Sequence, residues 1–153
     1  MRDVEQLVEM GADHITFIDA DFLCLREHPA RCVRMVKERF PHLTFDITTK
    51  VDHILECQSL VRELKELGCE YVTSALEFPS EAVLEGINKG NTVEEIYRAV
   101  EFCHGIGLKV CPTFIMFNPW VSLEDLVRFR EFVERFGLDE IIDRVSAHFE
   151  AER

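Results

Sequence analysis

Short β-rich runs alternate with longer amphipathic stretches along the whole chain, and this alternation constrains the fold more than any other feature. The runs begin near residues 15, 43, 71, 110 and 143. The first three starts repeat at close to the ~30-residue length of a βαβ unit. Strands connected through helices in this way are parallel. The sequence therefore predicts an α/β fold built on a parallel sheet.

Five strands leave two architectures open. The predicted strands are 15–18, 43–47, 71–76, 110–117 and 144–149. They are too few for an eight-unit barrel, and they suit either a partial barrel or an open doubly wound sheet. A helix over residues 4–8 comes first, where a βα unit begins with a strand. We therefore expect one bare apolar sheet edge, covered in a homo-oligomer or by a missing N-terminal segment.

The helices have identifiable ends. The clearest apolar stripe covers residues 57–67 and ends at Gly68. Thr92 and Glu95 have the spacing of a capping box, and Ser122 is expected to cap the last helix. The inward-facing residues of that last helix are predicted to be Leu123, Leu126, Val127, Val133 and Phe136.

Composition limits the possible partners and the location of the protein. The 153 residues suit a single domain, 1–153, with 47% hydrophobic and 30% charged residues. A net charge of −12 disfavours direct binding to nucleic acid. No apolar run reaches the ~20 residues of a membrane span, and the first residues are acidic rather than signal-like. We therefore predict a cytoplasmic protein that binds neither membranes nor nucleic acid.

The six cysteines do not form a recognisable metal motif. There is no CxxC, and no pair of cysteines has zinc-site spacing. We expect them to be small buried hydrophobic residues. The sequence also lacks HExxH, GxSxG and the phosphate-binding GxxxxGK[ST] motif.

Polar residues follow the predicted strands, at the edge where parallel α/β folds place their working sites. The candidates at these strand ends are Asp19, Asp21, Thr48, Thr49, Lys50, Ser74, Glu77, Asn118, His148 and Glu150. Carboxylates, a lysine and small hydroxyls at one rim would suit a polar zwitterion. Each residue also has a structural alternative. Asp19 and Asp21 can be loop or capping residues, and Lys50 can be a solvated loop lysine. Glu77 can be an anion that stabilises the N-terminus of the helix that follows it. Lys89, in its turn, is expected to be exposed.

An ordered set of segments resembles the radical S-adenosylmethionine (SAM) superfamily. The segments are 17–22 (FIDADF), 74–77 (SALE), 83–92 (VLEGINKGNT), 106–115 (IGLKVCPTFI) and 122–125 (SLED). A narrower resemblance, carried by residues 11–17, 44–51 and 112–120, is to the subgroup with a short cysteine- or selenocysteine-containing C-terminal tail.

The resemblance implies a partial (β/α)6 TIM-like barrel whose first strand is missing. It also implies SAM and a [4Fe–4S] cluster as cofactors, 5′-deoxyadenosyl-radical chemistry and a small-molecule substrate. By position, Asp19 and Asp21 would lie near the methionine amino group, and Lys50 would pair with the methionine carboxylate. Glu77 would lie near the ribose or methionine part. The loop around Asn118 would border the adenine.

The sequence departs from this family in one respect. The CxxxCxxC loop that supplies three thiolates to the cluster is absent. We therefore expect a fragment of a radical SAM core that is inactive alone. The alternative is a non-catalytic α/β half barrel that binds a small metabolite or a partner. A sugar or aldolase-type barrel fragment is less favoured because phosphate-cradling glycines are missing.

Overall fold

The computed structural model describes residues 1–138, which form seven helices and four strands. The helices are α1 (Arg2–Glu9), α2 (Glu27–Arg39), α3 (Val51–Glu56), α4 (Gln58–Glu66), α5 (Glu81–Gly86), α6 (Val93–Gly105) and α7 (Leu123–Phe136). The strands are β1 (His14–Thr16), β2 (Thr44–Thr48), β3 (Cys69–Glu77) and β4 (Lys109–Phe114). The predicted strand 144–149, like His148 and Glu150, lies outside the described residues.

All four strands are parallel, and their spatial order is the same as their chain order, β1-β2-β3-β4. Ile15 pairs with Phe45, Ile47 with Val72, and Val72 with Val110. A doubly wound sheet reverses its strand order at a switch point, whereas a barrel adds each new strand on the same side. The described strands follow the barrel pattern, which confirms the predicted partial TIM-like α/β architecture.

The main core lies between the sheet and its helices. Phe78 and Phe132 are fully buried in it. The ring of Phe129 lies 5.0 Å from that of Phe78 and 4.8 Å from that of Phe114, so α7 packs on the ends of β3 and β4 through aromatic contacts. A smaller cluster of Ile15, Val36 and Leu43 packs against Val4, Val8 and Phe40.

Both predicted helix caps are confirmed. The Thr92 hydroxyl accepts a hydrogen bond from the Glu95 N–H at 3.2 Å, and the Glu95 carboxylate accepts one from the Thr92 N–H. Ser122 and Asp125 form the same reciprocal pair at the start of α7. Each box satisfies two donors that a helix terminus leaves unpaired.

The predicted stripe over 57–67 is confirmed as a single helix, α4, with Cys57 and Leu67 as its two caps and Gly68 directly after it. One prediction about the last helix is wrong. In α7, Leu123 and Val127 are 83% and 59% exposed rather than inward. These two residues are one turn apart on the outer face, so the helix instead buries Phe129 and Phe132.

The cysteine prediction is correct for only part of the set. Cys57, Cys69 and Cys103 are buried, Cys32 and Cys111 are half-buried, and Cys24 is exposed. All six are free thiols. Within residues 1–138, no helix is both long and apolar enough to cross a membrane.

Candidate functional site

Backbone hydrogen bonds continue beyond the strand ends and hold the following loops at one rim. The Phe22 N–H donates to the Thr48 carbonyl at 2.8 Å, and the Thr49 N–H donates to the Thr73 carbonyl at 3.0 Å. The Ile115 N–H donates to the Glu77 carbonyl at 2.6 Å. These bonds join the loops after all four strands, so the carboxyl ends of the strands form a continuous edge.

Asp21 is the centre of the most connected polar group at this rim. Its Oδ1 accepts a 2.8 Å hydrogen bond from the Thr49 hydroxyl and lies 2.9 Å from His53 Nδ1. Lys50 Nζ is 3.5 Å from its Oδ2. Burial by itself raises the pKa of Asp21, but the hydrogen bonds from His53 and Thr49 outweigh it and hold that pKa below its ordinary value. Asp21 is therefore an ionised carboxylate surrounded by donors.

The other two residues of this part of the rim are more open to solvent. Asp19 is exposed, and its Oδ1 accepts a 3.1 Å hydrogen bond from the Asp21 N–H, an Asx-type contact that shapes the loop. Lys50 is also exposed, and its contact with Asp21 is an ion pair at 3.5 Å that leaves the ammonium open to solvent. The structure thus brings the side chains of Asp21 and Lys50 together, and Asp19 contacts the backbone of Asp21 in the same loop.

Glu77 has a strained backbone at the end of β3. Its φ is +60°, in the left-handed region, and the register of β3 against β4 shifts between Ala75 and Glu77. The Glu77 side chain is only 16% exposed, and its Oε1 accepts a 2.7 Å bond from Lys89 Nζ. The expectation that Lys89 is exposed is wrong, because the turn after α5 folds its side chain back onto this carboxylate.

Asn118 organises the loop between β4 and α7, residues 115–122, which we call the β4–α7 loop. Its Nδ2 donates to the Ile115 carbonyl at 3.0 Å, and its Oδ1 accepts from the Trp120 N–H at 3.1 Å. Both ends of the amide are thus used within the loop. The ring of Trp120 lies against Gly86, the last residue of α5, at the position that a Cβ would occupy.

A second polar group lies on the face of the sheet opposite the helix-packed residues. Asp46 is buried, and its Oδ1 lies 2.9 Å from His14 Nε2 and accepts a 2.7 Å bond from the Thr16 hydroxyl. Tyr71, which pairs with Asp46 across the strands, stacks on His14 with ring centroids 6.1 Å apart. Burial and the Asp46 charge raise the pKa of Tyr71. This polar group lies across the sheet at Thr16, Asp46 and Tyr71 and is separate from the groups around Asp21 and Glu77.

Several of these residues were not identified from the sequence. His53 lies 32 positions from Asp21, and no local pattern links them. Asp52 Oδ1 is buried without a hydrogen-bond partner among the described residues. The polar sheet face did leave a signal, the alternation of Thr44, Asp46 and Thr48 with apolar neighbours in β2. Ser74, expected at the rim, is fully buried.

The described residues do not fit an iron–sulfur cluster. Such a cluster needs several thiolates at close spacing. Over residues 1–138, no three His, Cys, Asp or Glu side chains are close enough to hold a metal ion. Burial raises the pKa of both Cys69 and Cys103 to about 12, which disfavours the thiolate form that binds metals.

Comparison with known proteins decides the family. The radical SAM superfamily profile matches residues 1–133. The chain belongs to the radical SAM superfamily. The resemblance to this superfamily described from the sequence is therefore confirmed, and the family uses SAM and a [4Fe–4S] cluster.

Two relatives of this radical SAM chain are named as methyltransferases. Bacteriochlorophyllide d C-8(2)-methyltransferase of Chlorobaculum tepidum is 31% identical over 96 residues, which are 61% of this chain and 21% of that protein. An uncharacterized methyltransferase of Pyrococcus horikoshii is 25% identical over 142 residues, 90% of this chain and 30% of that protein. The chain thus spans less than a third of the length of either relative.

Solved structures of radical SAM enzymes share the fold. The cobalamin-dependent SAM radical enzyme OxsB superposes with a TM-score of 0.69 at 19% identity, over 87% of this chain and 21% of OxsB. The radical SAM methyltransferase TsrM of Kitasatospora setae, with cobalamin and a [4Fe–4S] cluster bound, gives a TM-score of 0.71 at 16% identity. That match covers 89% of this chain and 28% of TsrM.

Proposed function

We propose that this chain supplies the SAM-binding rim of a radical SAM enzyme that transfers a methyl group, or another SAM-derived group, to a small molecule. Family membership supports SAM-dependent chemistry. The names of the two relatives favour methyl transfer over other uses of SAM. SAM supplies, when bound, a sulfonium with three activated carbon–sulfur bonds.

The strain at Glu77 is the observation that carries the proposal. A non-glycine residue at φ +60° costs about 1–2 kcal/mol relative to ordinary geometry. Such strain persists at positions where the surrounding structure requires it, and these positions cluster at ligand sites. Here the strained residue is a carboxylate at the carboxyl edge of a parallel strand, the edge at which β/α barrels bind their ligands.

The charges at the rim fit the groups of SAM. The ammonium and the sulfonium are cations, which the carboxylates of Asp19 and Glu77 are suited to stabilise. Lys50, an exposed cation 3.5 Å from Asp21 Oδ2, is suited to pair with the methionine carboxylate. Asn118 acts by shaping the β4–α7 loop, because both of its amide groups already have partners.

A non-catalytic half barrel that binds a partner is the second candidate. The observation that favours it is exposed apolar surface after β1 and β4, where Ile18 and Phe117 are 97% and 95% exposed. Isolated apolar side chains are common on protein surfaces, so this observation weighs less than the strained carboxylate.

Equilibrium dialysis of this chain against radiolabelled SAM tests the proposal. We expect saturable binding, weakened at least tenfold (about 1.4 kcal/mol) in Glu77→Gln. The control is Glu70→Gln, which removes an exposed carboxylate from the other end of the same strand. Absence of saturable binding in the wild-type chain, or equal weakening by both variants, would contradict the proposal and favour the half barrel.

A further inference from the structure

Gly86 and Trp120 make a contact that no other residue at position 86 permits. A Cβ atom at Gly86 would overlap the Cδ2 and Cε2 atoms of the Trp120 indole and lie 2.9 Å from its Cε3. The ring therefore lies on the bare Cα. The backbone of Gly86 is helical, so glycine is needed here for space and not for an unusual φ.

The contact joins two parts of the rim that are far apart in sequence. Gly86 ends α5, and the turn that follows it carries Lys89, the partner of Glu77. Trp120 belongs to the β4–α7 loop and is fixed from within that loop by Asn118. The indole thus fastens the loop onto the segment that holds the Glu77–Lys89 pair.

Helix energetics argue against a purely local reason for this glycine. Glycine in an exposed helix lowers stability by up to about 1 kcal/mol relative to alanine. Gly86 is exposed at the end of a six-residue helix, where alanine would favour the helix. Trp120 as a whole remains 43% exposed, so the contact does not bury the residue. Because neither helix stability nor burial of the ring explains the contact, its remaining effect is to place the β4–α7 loop.

We propose that Trp120, seated on Gly86, is a positioning residue that sets the β4–α7 loop against the Glu77–Lys89 pair and so fixes the shape of the SAM-binding rim. The inference rests on the proposed function, because the rim is the site assigned to SAM. Trp120 and Gly86 would act only by placing the loop, and neither residue would contact the reacting atoms.

The test compares SAM binding in Gly86→Ala and Gly90→Ala. Gly90 lies in the same turn as Lys89, and a Cβ there meets nothing within 4 Å. We expect Gly86→Ala to weaken SAM binding at least fivefold with an unchanged or raised Tm, and Gly90→Ala to bind as the wild type does. Trp120 is the only tryptophan, so its fluorescence reports the displaced ring directly. We expect a red-shifted emission and stronger acrylamide quenching in Gly86→Ala alone.

A second set of variants separates positioning from misfolding. Because phenylalanine is smaller than tryptophan, Trp120→Phe should partly restore SAM binding in the Gly86→Ala background. Gly86→Ala should add nothing to Trp120→Ala, since the clash is then gone. Wild-type affinity in Gly86→Ala with a shifted emission would overturn the positioning role alone. No SAM binding in the wild type would overturn the proposed function and this role with it.

Discussion

Replacing Glu77 by glycine and by alanine tests whether its backbone is strained. Both variants remove the ion pair with Lys89, so the difference between them reports only the backbone at φ +60°. Alanine keeps the left-handed penalty of about 1–2 kcal/mol. Glycine loses that penalty but gains about 0.4–1 kcal/mol of unfolded-state entropy. The glycine variant should therefore be more stable than the alanine variant by about 0.5–1 kcal/mol.

Glu70 provides the matched comparison within the same strand. It is exposed, and its φ is not in the positive range. Glycine at such a position should be less stable than alanine by roughly 0.5–1 kcal/mol. The order of the two variants should thus reverse between positions 70 and 77.

Urea unfolding followed by far-UV circular dichroism measures both differences. At about 2–4 °C per kcal/mol for a chain of this length, thermal melts provide a second measurement. If alanine were as stable as glycine at position 77, the left-handed backbone would not be strained, and the observation that carries the proposed function would fail.

Three further predictions concern charge, packing and thiol chemistry. The pKa of Asp21 is lowered on folding, so its stabilising contribution is present above its ordinary value of 3.8 and is lost as the pH falls through the folded-state value. Asp21→Asn should therefore flatten the stability curve below about pH 4 in urea titrations, and an unchanged slope would contradict the lowered pKa of Asp21. Phe132→Ala removes a fully buried ring and should reduce the free energy of unfolding by about 3–5 kcal/mol, whereas a loss below 1 kcal/mol would mean that α7 is not packed as described. Cys103 is buried with its pKa raised to about 12, so iodoacetamide at pH 8 should label exposed Cys24 first, and mass spectrometry showing equal rates would refute the burial of Cys103.

Local signals in the sequence were sufficient to predict most helices and strands of the fold. The capping boxes at Thr92 and Ser122 formed as predicted, because they depend on residues three positions apart. The four described strands lie where the apolar runs predicted them, although β1 is only three residues long. The orientation of α7 was less predictable. Its apolar residues occupy more than one face, and only packing against Phe78 and Phe114 selects Phe129.

The choice between a partial barrel and a doubly wound sheet required the tertiary structure. Both architectures have the same order of elements along the chain, and they differ only in the side on which each strand is added. The pairing of β1 with β2, β2 with β3 and β3 with β4 decides for the barrel.

The sequence by itself determined which residues follow most of the strands, because strand ends are read from local apolar patterns. It named Asp19, Asp21, Lys50, Glu77 and Asn118 among its candidates for the rim, but it also named Ser74, which is buried within β3. The partners of these residues were decided only by tertiary structure. His53 at Asp21, Lys89 at Glu77 and Trp120 on Gly86 are contacts between segments whose approach depends on how the helices pack on the sheet. Local periodicity carries no information about such distances, since it describes one element at a time.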